Sequence, residues 1–266
     1  MEKTADVFEK NIQTGMSGSA LKLLAMGSML IDHIGATVVE RQMLGNPSNL
    51  APDGTLELNA IVILYFLMRT IGRLAFPIFI FLLVEGYSHT RNPRRYTLRL
   101  LLFAGISEIP FDLAFEISAK KARQGVLTDM STQNVFFTLA IGLAAIHMIK
   151  QVQDRYEKKG KSIAVQMVVI ALTSLLAELL HTDYAAAGVL AIVVAYYTKE
   201  LPVRQRTVFF CIPLVITSPL EIAAVVDSCF FRRYNGTRGL SLKWVFYLFY
   251  PLHLLILAGV CIMMGW

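Results

Sequence analysis

The run Met29–Ala36, MLIDHIGA, sets an aspartate and a histidine side by side within an apolar stretch from Leu21 to Val39. Imidazole titrates near neutrality and can act as a general base, so His33, with Asp32 beside it, is the first candidate for chemistry. Other ionisable groups recur at helical spacing in apolar surroundings: Arg69 and Arg73 four apart, Glu108 and Asp112 four apart, Tyr250 and His253 three apart. Asn134, Thr138, Glu178 and Glu221 complete the set. A charged group near a bilayer centre costs about 2.5–3.5 kcal/mol, so such residues are kept where they meet a partner or a wet cavity. Each also has a structural reading: Arg69 and Arg73 would form an ion-pair lattice with Glu108 and Asp112, and His253 would donate to a backbone carbonyl.

The elements that must position these groups follow from composition. The chain of 266 residues is 55% hydrophobic and 17% charged, with a mean hydropathy of +0.55, and its apolar residues come in blocks long enough to span a bilayer. The fold class expected is all-α: a polytopic membrane protein with about eight transmembrane helices, at roughly 20–42, 59–87, 96–116, 134–150, 162–181, 184–198, 207–224 and 244–264. Residues 1–19 read as a cytoplasmic N-terminal segment and 20–264 as a single transmembrane domain. Pro77 should kink or break the second span. The basic residues lie between apolar blocks and form no stripe with interleaved aromatics, which argues against nucleic-acid binding. Cys211, Cys229 and Cys261 have neither metal nor disulfide spacing. No metal is expected.

With the N-terminus inside, fifteen Lys and Arg fall in cytoplasmic segments and seven in outer loops, among them Lys120, Lys121, Arg123, Arg232, Arg233, Arg238 and Lys243. The positive-inside rule then favours both termini inside. In that orientation the intramembrane polar residues lie in the middle or outer half of their helices and would share one cavity opening outward.

The segments LKLLAMGSMLIDHIGA, RTIGRLAFPIFIFLLVEGYSHTRN, RLLLFAGISEIPFDLAF, NVFFTLAIGLAAI and FYLFYPLHLLIL resemble, in order, the TraX family, named for the protein that acetylates the N-terminus of F pilin. TraX proteins are similar in turn to transmembrane acyltransferases that include the heparan-glucosaminide acetyltransferase and the acyltransferase-3 enzymes. The resemblance implies a multi-pass protein of the bacterial cytoplasmic membrane that moves acetyl from cytoplasmic acetyl-CoA to a peptide, sugar or lipid acceptor on the other side. CoA, the acceptor and the bilayer are then its partners, and a homodimer is compatible with the family.

Acetyl transfer needs a base for the acceptor proton and a donor for the developing oxyanion. His33 suits the first role. Asp32 or a carboxylate from another helix, Glu108 or Asp112, would fix its tautomer. Arg69, Arg73, Asn134, Tyr250 and His253 are candidates for oxyanion or substrate contacts. Glu85, His89, Arg91, Arg94 and Arg95, with Arg99 close behind, gather on the inner face and would suit CoA phosphates. Read from residue types alone, the same buried groups would also serve a proton-coupled secondary transporter. A non-catalytic scaffold would leave the intramembrane charge unexplained.

Overall fold

The computed structural model describes residues 15–46, 49, 56–241 and 243–266. Among them the chain is helical with no strands, and only isolated bridges join Met16 to Tyr234 and Gln133 to Thr182. Most of the N-terminal segment and part of the loop 43–58 lie outside the described residues.

Helix α1 (Gly18–Leu44) is capped by Ser17, whose side chain accepts from the N–H of Ala20, and carries one π turn at Gly35–Val39. The next long helix is two pieces, α2 (Ala60–Gly72) and α3 (Ala75–His89). Pro77 explains the division. In a continuous helix its ring would meet the carbonyl four residues back, that of Arg73, so the helix opens there and Pro77 enters the first turn of α3, where a missing N–H costs nothing. The chain continues through α4 (Pro93–Phe115), α5 (Ala119–Arg123), α6 (Val135–Arg155), α7 (Lys159–Leu179), α8 (Ala185–Tyr197) and α9 (Val203–Thr217). A 3-10 turn (Pro219–Val226), the short α10 (Asp227–Phe231) and α11 (Lys243–Met264) complete it. Five of these units, α1, α2 with α3, α6, α7 and α11, are long and apolar enough to cross a membrane.

Three of the eight expected spans are therefore not among these: α4, long enough at 23 residues, carries Arg94, Arg95, Arg99, Glu108 and Asp112, and α8 and α9 are short. Helix α8 has only 13 residues, about 20 Å at 1.5 Å per residue against a hydrocarbon core of about 30 Å. Helix α9, with 15 residues, reaches part-way along the bundle and stops. Beyond Ser218 the chain turns through Pro219–Val226, where Glu221 meets Arg73 at 2.9 Å, and comes back. On its return Phe231 stacks on Phe81, the N–H of Met16 donates to the carbonyl of Arg233, and those of Gly18 and Ser19 donate to the carbonyls of Thr237 and Arg238. Residues 203–241 thus form a re-entrant hairpin, and the loop expected outside lies at the same end of the bundle as the start of α1.

That hairpin removes one crossing and reverses the C-terminal end. Helix α11 runs parallel to α1: Lys22 sits over the Phe246 ring at 5.1 Å, and His33 meets His253 about three turns further along α1 and two along α11. The last residues pack beside α5, with the carbonyl of Trp266 accepting from the N–H of Ala119 and that of Ile262 from Arg123. Gly18 and Trp266 therefore lie at opposite ends of the bundle. Arg232, Arg233, Arg238 and Lys243 move to the more basic end. Of the seven loop cations assigned outside, only Lys120, Lys121 and Arg123 stay at the other end.

Candidate active site

Neighbouring residues on a helix point about 100° apart, and Asp32 and His33 consequently enter different networks. Asp32 turns towards the α2–α3 break. Its two oxygens take Arg69 Nη1 at 2.7 Å and Arg73 Nη2 at 2.9 Å. Arg73 also donates through Nη1 to Glu221 at 2.9 Å and through Nε to the carbonyl of Arg69 at 3.1 Å. Two glycines permit this approach. A Cβ on Gly72 would collide with the Asp32 carboxylate, and one on Gly35 would come within 3.1 Å of Met68. Ser28, one turn before Asp32, donates to the carbonyl of Ile71 at 2.6 Å, which helps satisfy a backbone group beside the break.

The expected pairing of these arginines with Glu108 and Asp112 does not occur. Glu108 instead takes the side-chain amide of Asn134, in a very short contact, and Asp112 accepts from the N–H of Asp129 at 2.8 Å. Both carboxylates fasten the α4–α6 connection, in which the hydroxyl and N–H of Ser131 hold the exposed Asp129 carboxylate below its ordinary range. Glu178 likewise accepts from the N–H of Ala186. Asp227, which no spacing in the sequence singles out, is fully buried with neither carboxylate oxygen hydrogen-bonded.

His33 turns the other way, towards α11 and α4. Its Nδ1 lies 2.7 Å from Nε2 of His253, the two rings are nearly coplanar with centroids 4.9 Å apart, and the Phe115 and Tyr250 rings stand edge-on to it at 5.3 and 6.0 Å. His253 Nδ1 lies 2.7 Å from the carbonyl of Phe249. A carbonyl only accepts, so in neutral rings the proton of His253 sits on Nδ1 and its Nε2 offers a lone pair. The Nδ1–H of His33 must then be the donor, which leaves Nε2 of His33 with an open lone pair. Asp32 takes no part in orienting this ring, nor do Glu108 and Asp112. A second histidine does it.

Below this pair a cavity of about 500 Å³ runs back towards the start of α1. Its inner wall is apolar, with Met29, Phe79, Leu83, Leu100, Phe136 and Leu139, and Met29 and Tyr250 close it one helical turn from His33. Its mouth carries Lys22, Arg99, Arg238 and Lys243, together with Glu85 and His89. Arg91, Arg94 and Arg95 are exposed and do not line it. Tyr96 and Arg99, three apart and so on one face of α4, are the residues of that basic run that do. Arg99 Nε is buried without a hydrogen-bond partner. Arg238 and Lys243 could not be associated with this mouth while their loop was assigned to the opposite side.

Residues 17–261 match the family model described as TraX protein. The chain belongs to the TraX family. It is also 27% identical over 214 residues, covering 73% of this chain and 83% of the relative, to a protein of Dichelobacter nodosus described as probable fimbrial assembly protein FimC, serogroup H1. No solved structure matches it.

Proposed function

We propose that this TraX protein is a membrane acetyltransferase that takes acetyl from acetyl-CoA through the basic mouth and passes it to an amine or hydroxyl acceptor at His33. One observation carries the reading: a cavity with cationic residues at its entrance and apolar walls reaches Met29 and Tyr250, and a histidine with a fixed, open Nε2 lies just beyond them, its ring 6.0 Å from that of Tyr250. Lys22 and His33 are eleven residues apart on one helix, about 16 Å, a span suited to an extended pantetheine arm with its phosphates at the mouth. Lys22, Arg99, Arg238 and Lys243 would hold those phosphates. In the reaction His33 Nε2 accepts the proton of the acceptor nucleophile, and His253 stabilises the resulting imidazolium through the shared Nδ1–H.

The basic end of the bundle then faces the cytoplasm, where the positive-inside rule puts it. The N-terminus is inside and Trp266 at the outer face of a bacterial cytoplasmic membrane. This departs from the orientation expected from the sequence only in the hairpin and α11.

The rival is a proton-coupled transporter, and one feature favours it: two interrupted helices, α2–α3 and α9, meet at Arg73 and Glu221. Isotopically labelled acetyl-CoA separates the two. Membranes containing the protein should bind the donor and pass labelled acetyl to an endogenous acceptor detectable by mass spectrometry, whereas His33→Ala should bind it and pass none. Absence of donor binding, or labelling by His33→Ala at the native rate, would overturn the acyltransferase reading.

A further inference from the structure

Acetyl transfer builds negative charge on the thioester oxygen, and a group must donate to it. Of the polar residues around His33, most are already engaged elsewhere. All three nitrogen positions of the Arg73 guanidinium are engaged, with Asp32, Glu221 and the Arg69 carbonyl. Arg69 is bound to Asp32 on the far face of α1. The Asn134 amide gives its hydrogens to the carbonyl of Ala104 and to Glu108, while its oxygen caps the N–H of Phe136.

Tyr250 differs from all of these. It is 3% exposed and lines the closed end of the shaft, with its ring edge-on to both His33 and His253 at 6.0 and 5.7 Å. The backbone N–H of Val135 lies near its hydroxyl. Val135 is the first residue of α6 after the Asn134 cap, so its N–H has no acceptor within the helix and stands at the positive end of the helix dipole. A phenol at that positive end is the stronger donor through its own O–H.

We infer that Tyr250, buried at the end of the cavity beside the two histidines, is the oxyanion donor of the reaction. This rests on the acyl-transfer reading above. The acceptor nitrogen or oxygen attacks the carbonyl carbon as its proton passes to His33 Nε2. The carbonyl electron pair moves onto oxygen, where the Tyr250 O–H binds it without giving up the proton. The pair then returns, the carbon–sulfur bond breaks and CoA leaves as the thiolate, which takes the proton from His33. The same placement puts Tyr250 between donor and acceptor, because it lines the cavity and meets both histidines.

The test compares Tyr250→Phe, His33→Ala and a protein with 3,5-difluorotyrosine at position 250, all full-length in nanodiscs, with acetyl-CoA as donor. Tyr250→Phe keeps the ring and its packing. Its kcat should fall about 10²–10³-fold with the KM for acetyl-CoA little changed, and the fluorinated residue, which restores a more acidic hydroxyl, should recover the rate and move the alkaline limb of the pH profile downward. A purely structural hydroxyl would give recovery without movement of that limb. The inference is overturned if Tyr250→Phe turns over at the native rate while His33→Ala does not, or if the fluorinated protein recovers with an unmoved profile. If His33→Ala is itself active, the acyl-transfer reading fails first.

Discussion

Asp32 and His33 are covalent neighbours, yet the regions they build are opposites. Around Asp32 both carboxylate oxygens are taken by arginines, one of those arginines reaches on to Glu221, and three segments of the chain are tied at one point. Around His33 the contacts are few and aromatic, and a single hydrogen bond fixes the ring while leaving Nε2 open. A buried ion-pair network with its valences filled specifies structure, and removing one member leaves an uncompensated charge. An oriented base with one valence open is available to a substrate. Two ionisable residues in one helical turn thus divide the work of holding and reacting, because a single residue step turns the side chain to a different neighbour.

The comparison is tested most sharply at its two centres. His33→Ala should lower acetyl transfer about 10²–10⁴-fold and leave the melting temperature in detergent nearly unchanged. Arg73→Gln should do the reverse in kind, costing about 3–5 kcal/mol of stability, measured by thermal or denaturant unfolding, since Asp32 and Glu221 would both lose a cation. Should Arg73→Gln unfold normally but abolish transfer, the division between the regions would be wrong.

Smaller effects refine it. His253→Phe keeps an aromatic ring but removes the acceptor that sets the His33 tautomer, and transfer should drop about 10–100-fold with donor binding intact. Gly72→Ala drives a methyl group into the Asp32 carboxylate and should cost about 1–3 kcal/mol, read as a lower melting temperature, whereas Gly105→Ala, with open space around its Cβ, should cost nothing. At the cavity mouth, changing Arg99, Arg238 and Lys243 together to Gln should raise the KM for acetyl-CoA, by about tenfold per lost charge-assisted contact. The same change at Arg91, Arg94 and Arg95 should leave it within twofold.

Much of this molecule was legible before any coordinates. The apolar blocks gave the helices nearly to their ends, Pro77 gave the interruption in the second, and the four-residue spacings gave correct faces for Arg69 with Arg73. The pairing of those faces was not legible. Glu108 and Asp112 were the obvious partners for two arginines by count and spacing, but partners are chosen by the depth and rotation of separate helices, and Asp32 and Glu221 proved to be at the right height. Adjacency makes Asp32 a visible partner for His33, as spacing does Glu108 and Asp112, while His253, 220 residues away, is not visible.

The sequence by itself determined that the chain is helical, apolar enough for a membrane, and furnished with buried charge that must be neutralised, because composition and periodicity act through local backbone geometry and solvation. Only the tertiary structure decided that residues 203–241 turn back instead of crossing, that Trp266 lies opposite Gly18, and that Arg238 and Lys243 stand beside Lys22 at one cavity mouth. Hydropathy registers whether a segment avoids water but not which way it leaves the bundle. That direction was set by the Arg73–Glu221 pair at the tip and by the backbone bonds from Met16, Gly18 and Ser19 at the base, all contacts between residues far apart in the chain.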